Sequence, residues 1–266
     1  MLMNMMKSVK LLACTTVAFS LLAAANVSAK EIEKTFDVSE GGTFKLETNR
    51  GSIKVGTHDK DQVIVMVDID GSDEDDMKVS FDSSGSDVTV VGEQSRESKG
   101  FWGRNNLRVS FYITVPSNYN LDVDTAGGSI KIADLNGKVD AHTSGGSIKL
   151  GRISGEVNVN TSGGSIKVEE VAGNIRAHTS GGSVKATLTK QPTGDCKLTT
   201  SGGSITVYLA DDIAVDLSAR TSGGRVRSEF DVNGDTTKRS IRGAINGGGP
   251  KLTLKTSGGS VKVLSL

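Results

Sequence analysis

Residues Thr161–Val168 read TSGGSIKV, and close copies of this octet recur along the chain. TAGGSIKI begins at Thr125, TSGGSIKL at Thr143, TSGGSVKA at Thr179 and TSGGSITV at Thr200. TSGGRVRS begins at Thr221, TSGGSVKV at Thr256, and a looser copy, TNRGSIKV, at Thr48. The octet is either a site used many times or the corner of a repeating scaffold. From 125 to 179 the motif threonines are 18 residues apart; the next two steps are 21 and the last is 35. A period near 20 residues marks a solenoid whose repeats are single supersecondary units.

Alternation identifies the unit. In the stretch from Lys138 to Gly151, Val139 and Ala141 alternate with polar residues before the glycines, and Ile148 and Leu150 do so after them. Period two on both sides means two half-buried strands per coil. Gly145-Gly146 is expected to supply a tight corner through positive φ. Aligning the octets produces apolar columns. Four positions before each threonine stand Phe44, Leu121, Val139, Val157, Ile175, Cys196, Leu217 and Leu252. The residue after the glycine-serine corner is always Ile or Val, and Leu135, Ile153 and Val171 repeat at the opposite corner. The predicted fold is an all-β parallel β-solenoid, right-handed by the general rule for parallel crossovers, with each strand pairing with its equivalent one coil later.

Two segments break the period. Between Thr48 and Thr125 lie further alternating strands and a polar loop, which predict an antiparallel β cap ending at Pro116. Residues 228–250 form an insertion with turn signals at Asn233-Gly234 and Asn246-Gly247. The resulting division is a signal peptide over 1–29, an N-terminal β region and cap over 30–120, and solenoid repeats over 121–266.

The signal peptide is read from Lys7 and Lys10, the apolar run Leu11–Ala25 and the small residues Val27-Ser28-Ala29. Cys14 has too short an apolar run before it for a lipoprotein site. The exported chain would start at Lys30 with 29 basic and 31 acidic residues, a net of −2. That balance provides no field for nucleic acid, and no second apolar run is long enough for a transmembrane segment. Cys196 is then the sole cysteine, so disulfides contribute nothing, and its place in an inward column predicts a buried thiol.

Taken together, the signal peptide, the segment ITVPSNYNLDVDT (113–125), the glycine-rich repeats and NGGGPKLTLKTSGGSVKV (246–263) resemble the bacterial putative-adhesin family. The resemblance covers Glu31–Leu266. It implies an exported β-strand-repeat protein of unknown function, and it brings no catalytic residue with it.

The chemistry-bearing residues point the same way. His142 and His178 fall two coils apart, about 9.6 Å, too far to share a metal ion comfortably. Asp231, Asn233 and Asp235 have the first spacings of a calcium loop, but Arg242 stands where its glutamate belongs. A second acidic group, Asp68, Asp70, Asp73, Glu74, Asp75 and Asp76, reads as a solvated turn. No nucleophile elbow or phosphate loop occurs, so neither catalytic residues, nor a cofactor, nor a metal site is expected. Phe101-Trp102 is read either as a stacking platform for a ligand or as a cover for the solenoid end.

The remaining candidates are Lys131, Lys149, Lys167 and Lys185, which share one outward column. Thr206 interrupts the column and Arg227 resumes it. The expected function is an adhesin-like, non-enzymatic binding module of the bacterial cell envelope. Its partner would be an anionic envelope polysaccharide or an envelope protein. A regulatory partner of an envelope-stress signalling system and a polysaccharide-active enzyme are the alternatives.

Overall fold

The computed structural model describes residues 30–71, 77–94 and 107–266. The expected signal segment, Trp102 and the acidic residues Asp73, Glu74, Asp75 and Asp76 therefore lie outside the described residues. Alternating burial follows the sequence closely: Val157–Thr161 is buried at Val157, Val159 and Thr161 and exposed at Asn158 and Asn160. Strands of this kind assemble into two twelve-stranded sheets. Their buried sides face one another over a single aliphatic core. Each solenoid coil contributes one strand to each sheet. In the middle of the stack, Val139–Thr143, Val157–Thr161 and Ile175–Thr179 pair in parallel on one side. Ile148–Ser154, Ile166–Val171 and Val184–Leu188 do so on the other.

Chain order and spatial order part company at both ends. Cys196–Thr200 pairs with Lys251–Thr256, not with Val215–Thr221, and Ile205–Leu209 likewise pairs with Val261–Ser265. Val215–Thr221 and Val226–Ser228 lie on the far side of this last segment. The C-terminal coil is thus inserted between two coils that precede it in sequence. At the other end, Thr43–Thr48 and Ser52–His58 lie between the coil containing Asn120–Thr125 and a coil made from Asp87–Gln94 and Arg108–Pro116. Those last two strands were expected in an antiparallel meander, yet they extend the parallel stack. The antiparallel cap consists of Lys30–Asp37 and Gln62–Asp70 on one sheet and Met77–Ser84 on the other. At the opposite end, Asn233–Thr236 and Ser240–Ile245, from the 228–250 insertion, form a hairpin that covers Val215–Thr221.

The octet's corner residues explain the repetition. All eight motif threonines are buried. Thr161 Oγ1 donates to the Gly146 carbonyl of the preceding coil at 2.7 Å and accepts the Gly164 N–H of its own coil at 3.4 Å. Thr143, Thr179, Thr200, Thr221 and Thr256 make the same two bonds. The donor bonds of Thr256 to Gly203 and of Thr221 to Gly259 follow the inserted order. Serine forms a second ladder: the Ser165 N–H donates to Ser147 Oγ at 3.2 Å, and the Ser183 N–H to Ser165 Oγ at 3.1 Å. No buried side-chain nitrogen or oxygen among the described residues lacks a partner.

Gly51 and Gly128, at the fourth position of the first two octets, have the expected positive φ, but the later corners need glycine for a different reason. Gly145 and Gly146 are not among the residues with positive φ. Instead, a Cβ on Gly146 would lie 2.0 Å from the Gly128 carbonyl oxygen, and one on Gly164 would lie 2.2 Å from that of Gly146. Backbone stacks on backbone at this corner, and only hydrogen fits between.

Cys196 is 2% exposed and free, as its column requires. Its sulfur accepts the Ile175 N–H at 3.5 Å, and burial raises the thiol's pKa despite that bond. A thiol reagent at neutral pH is expected to label it slowly in the native protein and rapidly in denaturant; fast native labelling would contradict its packing. Thr161→Val keeps the shape but leaves two backbone groups without their partner, at an expected cost of about 1–3 kcal/mol. Thr161→Ser should cost much less, and Ser162→Ala, on the exposed neighbour, close to nothing. Urea denaturation followed by circular dichroism orders the three variants.

Candidate functional site

The serine-basic alternation after each corner places the small residue at the corner and the basic residue at mid-strand, pointing outward. Cross-strand register then aligns these residues across one sheet. Lys54 lies beside Lys131, Lys131 beside Lys149, Lys149 beside Lys167, and Lys167 beside Lys185. All five are exposed. At the strand spacing they span about 19 Å in a straight line. Beyond Lys185 come Thr206, Lys262 and then Arg227. The basic column is therefore longer than the four expected lysines. Arg227 does not resume it directly after Thr206, because the inserted C-terminal coil puts Lys262 between them. Lys54 was legible in the looser octet at Thr48; Lys262 could be placed only once the spatial order of coils was known.

A tyrosine adjoins each end of the five-lysine run. Tyr112 pairs in register with Lys54, whose Nζ lies 4.8 Å from the ring centroid. Lys185 Nζ lies 4.8 Å from the ring of Tyr208, one strand further along. Within the run, Lys167 Nζ meets Glu169 Oε1 at 3.3 Å. Both side chains are about half exposed, so this pair contributes little to stability. Like charges one strand apart repel by up to about 1 kcal/mol per neighbouring pair in water. A row of carboxylates or phosphates laid along the column would relieve that repulsion.

The other sequence candidates do not assemble. The row of Asn160 separates His142 from His178, and His178 Nδ1 is engaged by Thr199 Oγ1 at 2.8 Å. Asp235 sits opposite Arg242 in the terminal hairpin. Among the described residues no group of three or more His, Cys, Asp or Glu side chains could hold a metal ion. No helix among them is long and apolar enough to cross a membrane.

Stacked coils of two strands, closed by threonine-glycine corners, define a repetitive all-β architecture, and comparison with known families agrees. Residues 138–264 match the family model Toastrack DUF4097, a domain of unknown function. Among solved structures, the chain is similar to a putative adhesin from Bacteroides fragilis, with 15% identity and a TM-score of 0.44 over 90% of this chain and 99% of that one. It is similar to a putative cell adhesion protein from Clostridium sporogenes, with 15% identity and a TM-score of 0.37 over 90% and 100%. A putative lipid binding protein from Parabacteroides distasonis matches at 14% identity, with a TM-score of 0.29 over 89% and 96%. No curated protein matches the chain.

Proposed function

We propose that the chain is an exported, non-enzymatic binding module of the bacterial cell envelope whose lysine column holds a linear anionic polymer. One observation supports this above all: Lys54, Lys131, Lys149, Lys167 and Lys185 stand in register on neighbouring strands, at a constant repeat. A small ligand needs convergent groups in a concavity. A column of evenly spaced ammonium groups instead matches a chain whose own charges repeat along its length. At either end an aromatic ring adjoins a lysine ammonium, Tyr112 with Lys54 and Tyr208 with Lys185, a pairing suited to a sugar ring that bears a carboxylate, which favours an acidic polysaccharide. The basic, apolar and small-residue sequence of the first 29 residues supports the export part of this reading.

The variant K131Q/K149Q/K167Q/K185Q is expected to lose retention on an immobilised acidic polysaccharide while keeping its β-type circular dichroism. Wild-type retention should fall steeply as salt is raised from about 0.05 to about 0.5 M, where screening shortens the reach of each charge. Retention that survives the substitutions, or that ignores salt, would reduce the lysines to solubilising residues. Intact mass of protein recovered from cells should correspond to a chain starting at Lys30. A diacylated species starting at Cys14 would contradict the export reading.

A further inference from the structure

The outer face of the second sheet carries both signs of charge, and they are sorted by row. Two columns of outward positions run along the stack. On one side of the Val157–Thr161 strand, these positions hold Glu47, Asp122, Asp124 and Asp140. On the other side they hold Arg176, Lys197, Lys255 and Arg220. The strand between them presents only Asn158 and Asn160. Within these two columns Lys45 is the exception on the acidic half, paired with Glu47 at 2.8 Å; at the margin Lys138 pairs with Asp140 at 2.7 Å, and on the basic half Asp216 is exposed.

The sorting has a symmetry. Counting rows outward from Asn158, Asp140 and Arg176 are each one row away, and Asp122 and Lys197 two. Glu47 and Lys255 are each three rows away in the neighbouring column. Asp82 and Arg242, in the end strands, are each five rows away in the first column. Each acidic residue of these four pairs thus has a basic counterpart in the same column and at the same distance on the opposite side.

We propose that this face is a self-association surface. Two copies pack sheet to sheet about a two-fold axis running along the Val157–Thr161 strand, with their solenoid axes antiparallel. That rotation keeps each column and reverses the order of rows. It places Asp140 opposite Arg176, Asp122 opposite Lys197, Glu47 opposite Lys255 and Asp82 opposite Arg242, each pair occurring twice. A two-fold axis along the solenoid would instead lay every row on itself, setting acid against acid and base against base. The charges select between the two packings. Neutral Asn158 and Asn160 sit on the axis, where a charge would meet its own copy. At the sheet margin Glu156 does approach its copy; Lys138, one row away on each chain, is held mainly by Asp140 at 2.7 Å and lends Glu156 a lesser attraction. A shallow groove of about 260 Å³ on the basic half, lined by Asn158, Asn160, Arg176, His178, Lys197 and Thr199, would receive the acidic row of the second copy. Opposite charges across such a face set register and orientation more than raw affinity.

Sedimentation velocity on the full exported chain is the test, using two charge-reversed variants. D122K/D140K sets lysines opposite Arg176 and Lys197 of the second copy, and R176E/K197E sets glutamates opposite Asp140 and Asp122. Wild type is expected to form dimers as concentration rises towards about 0.5 mM, and each variant alone to associate at least about tenfold more weakly. An equimolar mixture of the two variants should restore association, because every reversed charge then meets its opposite. The milder D122N/D140N is expected to weaken the dimer less and to flatten its salt dependence, and it provides the same test should a reversed variant fail to fold. A wild type that stays monomeric, variants that dimerise as wild type does, or a mixture that stays apart would each overturn the proposal.

Discussion

A buried threonine hydroxyl that both donates and accepts is the interaction on which the stack depends. The corner of a narrow solenoid brings two backbones close together and leaves peptide groups inside that no sheet ladder satisfies. Thr161 resolves this locally, tying the Gly146 carbonyl of one coil to the Gly164 N–H of the next. The same geometry dictates the glycine, because a methyl group on Gly164 would overlap the carbonyl oxygen of Gly146. Serine then binds neighbouring coils through its hydroxyl at the start of the second strand. Within T-S-G-G-S, the first, fourth and fifth residues are thus accounted for by stacking alone, and none of these is left free for chemistry.

Because the corner and the inward columns carry the fold, the outward positions can take other residues without disturbing it. The chain uses its two faces differently. On one, the residue type is nearly constant from coil to coil, which builds a column of like charge whose internal repulsion an opposing chain can relieve. On the other, the charge changes sign across a neutral central strand. Both patterns rest on parallel, in-register pairing, in which equivalent residues of successive coils become lateral neighbours. A shift of one residue would turn either face inward.

Much of this was legible in the sequence. The period, the two strands per coil, the inward columns, the buried cysteine and four of the lysines all follow from octets that align without gaps. The spatial order of the coils does not. The octets at Thr200, Thr221 and Thr256 are so alike that nothing in them specifies which is whose neighbour, and burial of Val226 or Val261 would look the same in either order. Lys262 was missed as a member of the basic column for that reason. The role of the glycines was also misjudged. A Gly-Gly pair signals a positive φ when read as an isolated turn, whereas at Gly146 and Gly164 the constraint comes from a carbonyl in a different coil. The strands Asp87–Gln94 and Arg108–Pro116 carry no octet, so their parallel pairing with the first coil left no mark in the repeat.

Native-state hydrogen exchange at the corner amides probes this dependence most directly. The N–H groups of Gly146, Gly164, Gly182, Gly203, Gly259 and Gly224 each donate to a buried threonine oxygen. At Gly164 and Gly182, in the middle of the stack, exchange is expected only through openings as costly as unfolding of the coils themselves, with protection equal to that of strand amides such as Val159. Exchange at those two glycines as fast as in an exposed turn would mean that the threonine ladder does not hold the coils together.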